Sequence, residues 1–285
     1  MRTNTFHAKK VLVAFFAVLM PLVASAEKVE IDGIWYNLIK KVKTAEVIYK
    51  GNSPDSYSNE YSGSITIPAT VTHNGVEYNV TSIGGDAFAY CSSLTAITIP
   101  EGVTSIGNSA FAYCTNLTDI TLPESVTSIG NSAFRDCSSL TDITLPEGVT
   151  SIGERAFGGC SSLTAIVLPK NVKYIYSEAF AGCSELTDVY CYAESVPSTK
   201  ADAFDGSYPE YATLHVPTNA LGSYKATAPW NCFGNIVCLT DEDMGIEQLT
   251  NDNSQQTIYD LCGRRVDNPV KGGIYIVDGK KMMVK

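Results

Sequence analysis

The sequence predicts a solenoid of parallel short strands stacked at a 23-residue period, with short helical turns, a β-rich N-terminal cap and a C-terminal cap and tail. Three observations predict it. Ser82–Thr104, Ser105–Thr127, Ser128–Thr150, Ser151–Lys173 and a degenerate fifth segment from Tyr174 align without gaps. Within each segment, apolar residues alternate with small polar ones just before a Pro or an equivalent stop. The chain of 285 residues is 45% hydrophobic and 18% charged, which is globular composition with enough apolar surface for a sizeable core.

The unit can be read residue by residue. In Leu94-Thr95-Ala96-Ile97-Thr98-Ile99 the apolar positions are 1, 4 and 6, the L-x-x-L-x-L core of a leucine-rich repeat. Ile97 and Ile99 alternate with Ala96 and Thr98, so one face of a short strand is buried. Pro100 removes a donor and ends the strand, and Gly102 permits the turn. Upstream, Ala87, Cys91 and Leu94 fall at i, i+4 and i+7, spacing that suits one or two helical turns facing the same core. Phe111, Phe134 and Phe157 form a core column with Phe88 and Phe180. One coil cannot bury its own face, and stacking buries a continuous column with strands ~4.8 Å apart.

The motifs Ile106-Gly107-x-x-Ala110-Phe111-x-x-Cys114 and Leu117-x-x-Ile120-x-Leu122-Pro123, repeated with few departures, resemble the BspA-like leucine-rich repeats of bacterial surface proteins. The resemblance spans roughly residues 60–240 with caps. It implies a secreted or surface-displayed recognition protein of adhesin type.

Around the repeats, residues 1–26 read as a signal peptide: Arg2, Lys9 and Lys10, an apolar run from Val11 to Val23, and Ala24-Ser25-Ala26 before the cleavage point. The run is too short to span a bilayer ~30 Å thick, so no transmembrane segment is expected in the mature chain. The address is the outside or the outer cell surface, with the periplasm as the alternative. Residues 27–80 read as an N-terminal cap, with a hairpin turn at His73-Asn74-Gly75. The repeats occupy 81–191. A degenerate repeat and C-terminal cap closing on Trp230, Phe233 and Ile236 occupy 192–240. Residues 241–253 read as a polar linker. Residues 254–285 read as a β segment that resembles the sorting domains of Bacteroidetes secretion systems, with a turn at Asp278-Gly279.

Composition and spacing give catalysis little support. A net charge of −10 argues against nucleic acid as a partner. No G-x-S-x-G, H-E-x-x-H or phosphate-cradling loop occurs, and no metal or cofactor is expected. His73 and His215 lie at opposite ends of the repeats, and His215 is expected to be solvated. Asp119 and Asp142 share a column, so adjacent coils would bring their carboxyls ~5 Å apart. Retaining glycosidases use carboxyls at such a distance, which leaves a hydrolase as a remote alternative. The pair comes from repetition, however, on an open ladder.

Binding fits the pattern better. Thr98, Asp119, Thr121, Asp142, Thr144, Asp188 and Tyr190 are predicted to face outward, with Thr95, Thr118, Thr141, Thr164 and Thr187 beside them. The Thr are read either as a hydroxyl-bearing ligand face for an extracellular protein or glycan, or as residues that simply suit a half-exposed strand. Tyr90 and Tyr113 form a second candidate patch, with partial burial by neighbouring coils expected. Self-association into a surface assembly is the competing use.

Nine cysteines in a secreted chain first suggest disulfides. Cys91, Cys114, Cys137, Cys160 and Cys183 instead form one column, 23 residues apart. In-register side chains point the same way, so these are expected to be reduced, small buried hydrophobes. Cys232 and Cys238 are the one plausible local pair.

Overall fold

The computed structural model describes residues 26–50 and 61–240, together with the backbone of four strands, Ile246–Leu249, Ile258–Tyr259, Ile274–Val277 and Lys280–Val284. The expected signal peptide up to Ser25, Cys262 and the Asp278-Gly279 turn lie outside the described residues.

The coils stack as a parallel solenoid with two strand ladders. The Leu/Ile ladder contains Gly63–Thr66, Leu94–Thr98, Asp119–Thr121, Asp142–Thr144, Ala165–Leu168, Asp188–Cys191, Thr213–Val216 and Asn235–Cys238. A second ladder, which the sequence did not single out, runs through Ser105–Ile106, Ser128–Ile129, Ser151–Ile152, Tyr174–Ile175 and Ser198–Thr199. It continues without a break into the N-terminal end. There Val76–Ile83 joins Thr44–Ile48 in parallel, and Thr44–Ile48, Ile34–Ile39 and Ala26–Ile31 form an antiparallel meander. The hairpin at Asn74-Gly75 forms: Thr70–His73 pairs antiparallel with Val76–Ile83, and both turn residues have positive φ, at 51° and 75°.

The third side of each coil corrects the sequence reading. Ala87, Cys91 and Leu94 do lie on one face, all buried, but no helix forms there. Instead two residues per coil, four apart, are left-handed: Asp86 and Tyr90 in the first coil, Arg155 and Gly159 in the fourth. The intervening amides alternate between a tight turn within the coil (Cys91 N–H to Phe88 O, 3.2 Å) and the next coil (Phe88 N–H to Ala110 O, 2.8 Å). A four-residue repeat of turns mimics helical spacing while keeping every second donor for the neighbouring coil. The α-helix present among the described residues is Leu221–Ala226, in the C-terminal cap.

The core is a set of columns. Phe88, Phe111, Phe134, Phe157, Phe180 and Phe204 stack with centroids 5.2–5.5 Å apart and ring planes within 2–12°. At one end Tyr61 lies tilted by 53° on Phe88; at the other, Trp230 and Phe233 meet Phe204 at 64° and 82°. Each pair contributes about 1 kcal/mol beyond the burial of its area.

The cysteine column is reduced, as its geometry requires, but it is not merely apolar filling. Cys114, Cys137, Cys160 and Cys183 are buried, and each donates its S–H to the carbonyl of the Phe one coil back, at 3.1–3.2 Å. Ser207 takes the same slot in the sixth coil and donates its hydroxyl to Phe180 O. The slot therefore selects a small donor. Burial pushes these thiols up, to about 12 for Cys183. Cys191, in the strand slot matching Ile99, is pushed to about 11 and sits 3.1 Å from the Tyr224 hydroxyl.

Two further expectations fail. Cys232 and Cys238 are both free. Cys238 is held in a strand opposite Val216, while Cys232 is exposed with its thiol on Asn231 Oδ1. The expected linker 241–253 contains the strand Ile246–Leu249, which pairs in parallel with Lys280–Val284.

Candidate ligand-binding face

The predicted outward residues do share one face, the solvent side of the Leu/Ile ladder. Thr98, Asp119, Thr121, Asp142 and Thr144 are exposed, whereas Asp188 and Tyr190 are half-buried. Alternation places them there: Ile97, Ile120, Ile143 and Val189 point inward and are 0–8% exposed.

This ladder, unlike the second one, is interrupted. Leu94–Thr98 pairs with Asp119–Thr121, and Asp142–Thr144 pairs with Ala165–Leu168, yet no pairing joins Asp119–Thr121 to Asp142–Thr144. The side chains supply the reason. Elsewhere in that column an acid lies opposite a neutral residue: Ala96 with Asp119, Asp142 with Ala165, Ala165 with Asp188, Asp188 with Thr213. Only the step from Asp119 to Asp142 would set two carboxylates directly opposite, which destabilises a cross-strand pair. The continuous ladder expected from the repeat thus opens at that step. A crevice of about 270 Å³ lies there, lined by Asp119, Thr121, Glu124, Asp142 and Thr144.

The neighbouring Thr column is mostly structural. The hydroxyls of Thr118, Thr164 and Thr187 donate to the carbonyls of Thr95, Thr141 and Thr164, one coil back. They strap coils together and are not a row of donors awaiting a ligand. Thr141 is the exception: its hydroxyl donates to Asp142 Oδ2 at 3.1 Å, beside the open step.

His215 is not solvated. Its side chain is 16% exposed, its Nε2 lies 2.8 Å from Asp188 Oδ1, and its ring stacks on Tyr190 with centroids 4.3 Å apart. Strand register puts His215 directly beside Tyr190 and diagonal to Asp188, and the diagonal reach is what the sequence reading missed. These three residues form a second cluster in the fifth and sixth coils, two coils beyond the crevice. Tyr90 is 42% exposed and stacks on half-buried Tyr113 at 4.8 Å, with the Arg135 guanidinium 5.4 Å from the Tyr113 ring centre. Among the described residues, no group of three or more His, Cys, Asp or Glu is placed to hold a metal.

The repeat columns, the Pro-closed strands and the Phe–Cys core of residues 81–210 match the BspA type leucine rich repeat region in six copies. The chain is also similar to solved bacterial proteins. The leucine rich repeat protein of T. pallidum is 30% identical, over 57% of this chain and 71% of that one, with a TM-score of 0.48. A leucine rich cell surface protein from Faecalibacterium prausnitzii is 24% identical, over 76% and 74% of the two chains, with a TM-score of 0.42. A leucine-rich repeat protein from Bacteroides ovatus is 20% identical, over 74% and 76%, with a TM-score of 0.38. No curated protein matches the chain.

Proposed function

We propose that this is a non-enzymatic recognition protein, secreted or held at the outer cell surface, that binds an extracellular protein or glycan through the face around the Asp119–Asp142 crevice. The observation that carries the reading is the single open step in an otherwise regular BspA-type ladder. It presents carboxylates and hydroxyls of adjacent coils on a rigid sheet, where binding orders few side chains. The secreted address rests on the basic, apolar and small-residue signals of residues 1–26, and retention at the surface on the sorting-like strands of 254–285. Among the described residues, no helix is long and apolar enough to cross a membrane. Hydrolysis by Asp119 and Asp142 has weaker support: both are exposed in an open crevice, and the nearest histidine on this face, His215, is engaged by Asp188.

The test is an array of matrix proteins and glycans probed with the full chain and with an Asp119→Ala, Thr121→Ala, Asp142→Ala, Thr144→Ala variant. A ligand should be captured by the native chain and lost, by tenfold or more, in the variant. Capture that ignores these four changes would move the site elsewhere.

A further inference from the structure

The near-identity of the coils shows what the fold asks for at each position, so departures from it that gain nothing for the fold point to another use. One cluster of departures lies on the corner where the fourth coil passes into the fifth. Lys170 stands where the three preceding coils have Glu101, Glu124 and Glu147, and Lys173 where they have Thr. Tyr174 replaces the Ser of Ser105, Ser128 and Ser151, and Tyr176 replaces the Gly of Gly107, Gly130 and Gly153. In the next coil Lys200 follows Thr199, which pairs with Ile175, and so lies beside Tyr176.

The fold does not ask for these residues. At Gly107, Gly130 and Gly153 a Cβ would come within 2.6–2.7 Å of the backbone one coil back, so the second ladder favours glycine where Tyr176 stands. Neither tyrosine contributes to the core. Tyr174 and Tyr176 are 51% and 46% exposed, with ring centres 6.5 Å apart and planes inclined by 27°. Ser151 and Ser198 flank Tyr174 in register, so the rings stand above small neighbours. Lys170, Lys173 and Lys200 are all exposed. The carboxylates nearby are already engaged. Glu178 accepts two bonds from Arg155 at 2.7 and 2.8 Å, and Asp202 accepts the Ser177 hydroxyl at 2.6 Å; Glu147 lies 3.8 Å from Lys170 itself, an exposed pair worth little that a bound anion can displace. A basic and aromatic corner therefore stands on a chain of net charge −10.

We infer that Lys170, Lys173, Tyr174, Tyr176 and Lys200 form a binding site for an acidic polysaccharide. Carboxylate or sulfate groups would sit on the lysines, and the apolar faces of the sugar rings on the tyrosines. Lysine ammonium groups on flexible stems suit anions spaced along a chain, and exposed tyrosines offer apolar ring area with a polar rim. Nucleic acid is the poorer occupant. It carries a charge every ~1.7 Å of duplex, and three lysines cannot offset its repulsion by the acidic remainder of the chain. The inference shares with the proposed function the premise of a recognition protein, but it places its ligand on the second ladder, away from the Asp119–Asp142 crevice.

The experiment titrates the full chain with heparin, polygalacturonate, neutral dextran and single-stranded poly-dT at two salt concentrations. It is repeated with Lys170→Glu, Lys173→Thr, Tyr174→Ser and Tyr176→Gly combined. These residues are carried by the preceding coils, so the variant should fold and melt like the native chain. Binding of heparin or polygalacturonate should weaken with salt, exceed dextran binding, and fall tenfold or more in the variant, while Asp119→Ala with Asp142→Ala leaves it unchanged. Three results would overturn the inference: no binding of either acidic glycan, equal binding by the variant, or preference for poly-dT. If neither acidic glycan binds while another ligand is lost on changing the crevice, the recognition reading stands and this site falls.

Discussion

The two ladders of this solenoid are made by the same coils, yet one is continuous and the other opens at a single step. The second ladder is lined with Ser and Gly, and its coils approach so closely that a Cβ at Gly107 would meet Gly84 at 2.6 Å. The Leu/Ile ladder carries larger and charged side chains and opens where Asp119 would face Asp142. The shared Phe and Cys columns set the spacing of the coils. The side chains on each face then decide whether the backbone on that face closes. A repeat so regular in its core is thus free to vary its surfaces independently.

The comparison can be broken outright by attacking what both ladders share. The buried thiols have raised pKa values, so the fold keeps protons that the unfolded chain would release. Their contribution is complete below about pH 9 and is lost as pH rises toward about 11 for Cys191 and about 12 for Cys183. Above the ordinary thiol pKa, each buried thiol that stays protonated should cost on the order of 1 kcal/mol per pH unit. Urea unfolding from pH 7 to 11 should show the steep decline, with amides of both ladders losing protection together; a flat profile to pH 10.5 would refute it. A smaller effect separates closed steps from the open one. Thr164→Val removes a hydroxyl strap between paired coils and should cost about 1 kcal/mol, whereas Thr141→Val, whose hydroxyl reaches only Asp142, should cost less. Equal losses would show that the straps do not distinguish the steps. The smallest effect is a gain: Asp142→Ala, which copies Ala96 and Ala165, should close the ladder and add ~0.5 kcal/mol. Hydrogen exchange should then slow at Thr141 and at position 142, and unchanged exchange would show that charge repulsion is not what holds the step open.

Much of this architecture was legible in the sequence because a 23-residue period repeats its own core. The Phe, Leu, Ile and Cys columns, the strand–Pro signature and the cap residue Trp230 could all be placed by alignment of the chain with itself. The helical turns were misread because left-handed residues four apart produce the same i, i+4 spacing as a helix. The donor role of the cysteines was hidden by their apolar reputation, although Ser207 in the same column was a visible sign of it. His215 faced outward by register as expected, and only three-dimensional placement shows its bond across the strands to Asp188. Ile246–Leu249 carries too few apolar residues for its strand to stand out from the acidic stretch around it. At the candidate site, the shared column of Asp119 and Asp142 was plain from the sequence. That their encounter opens the ladder depends on every other step being neutral on one side.

The ends of the phenylalanine column carry a further consequence. A stack of parallel rings has no intrinsic length; each flat face is a template for one more. Here each interior ring lies within 12° of its neighbour, while Tyr61 meets the first at 53° and Trp230 and Phe233 meet the last at 64° and 82°. A ring presented edge-on gives an incoming coil nothing flat to rest upon. The tilted aromatics therefore end the ring stack on both sides, and a coil laid against either would meet ring edges in place of a flat face.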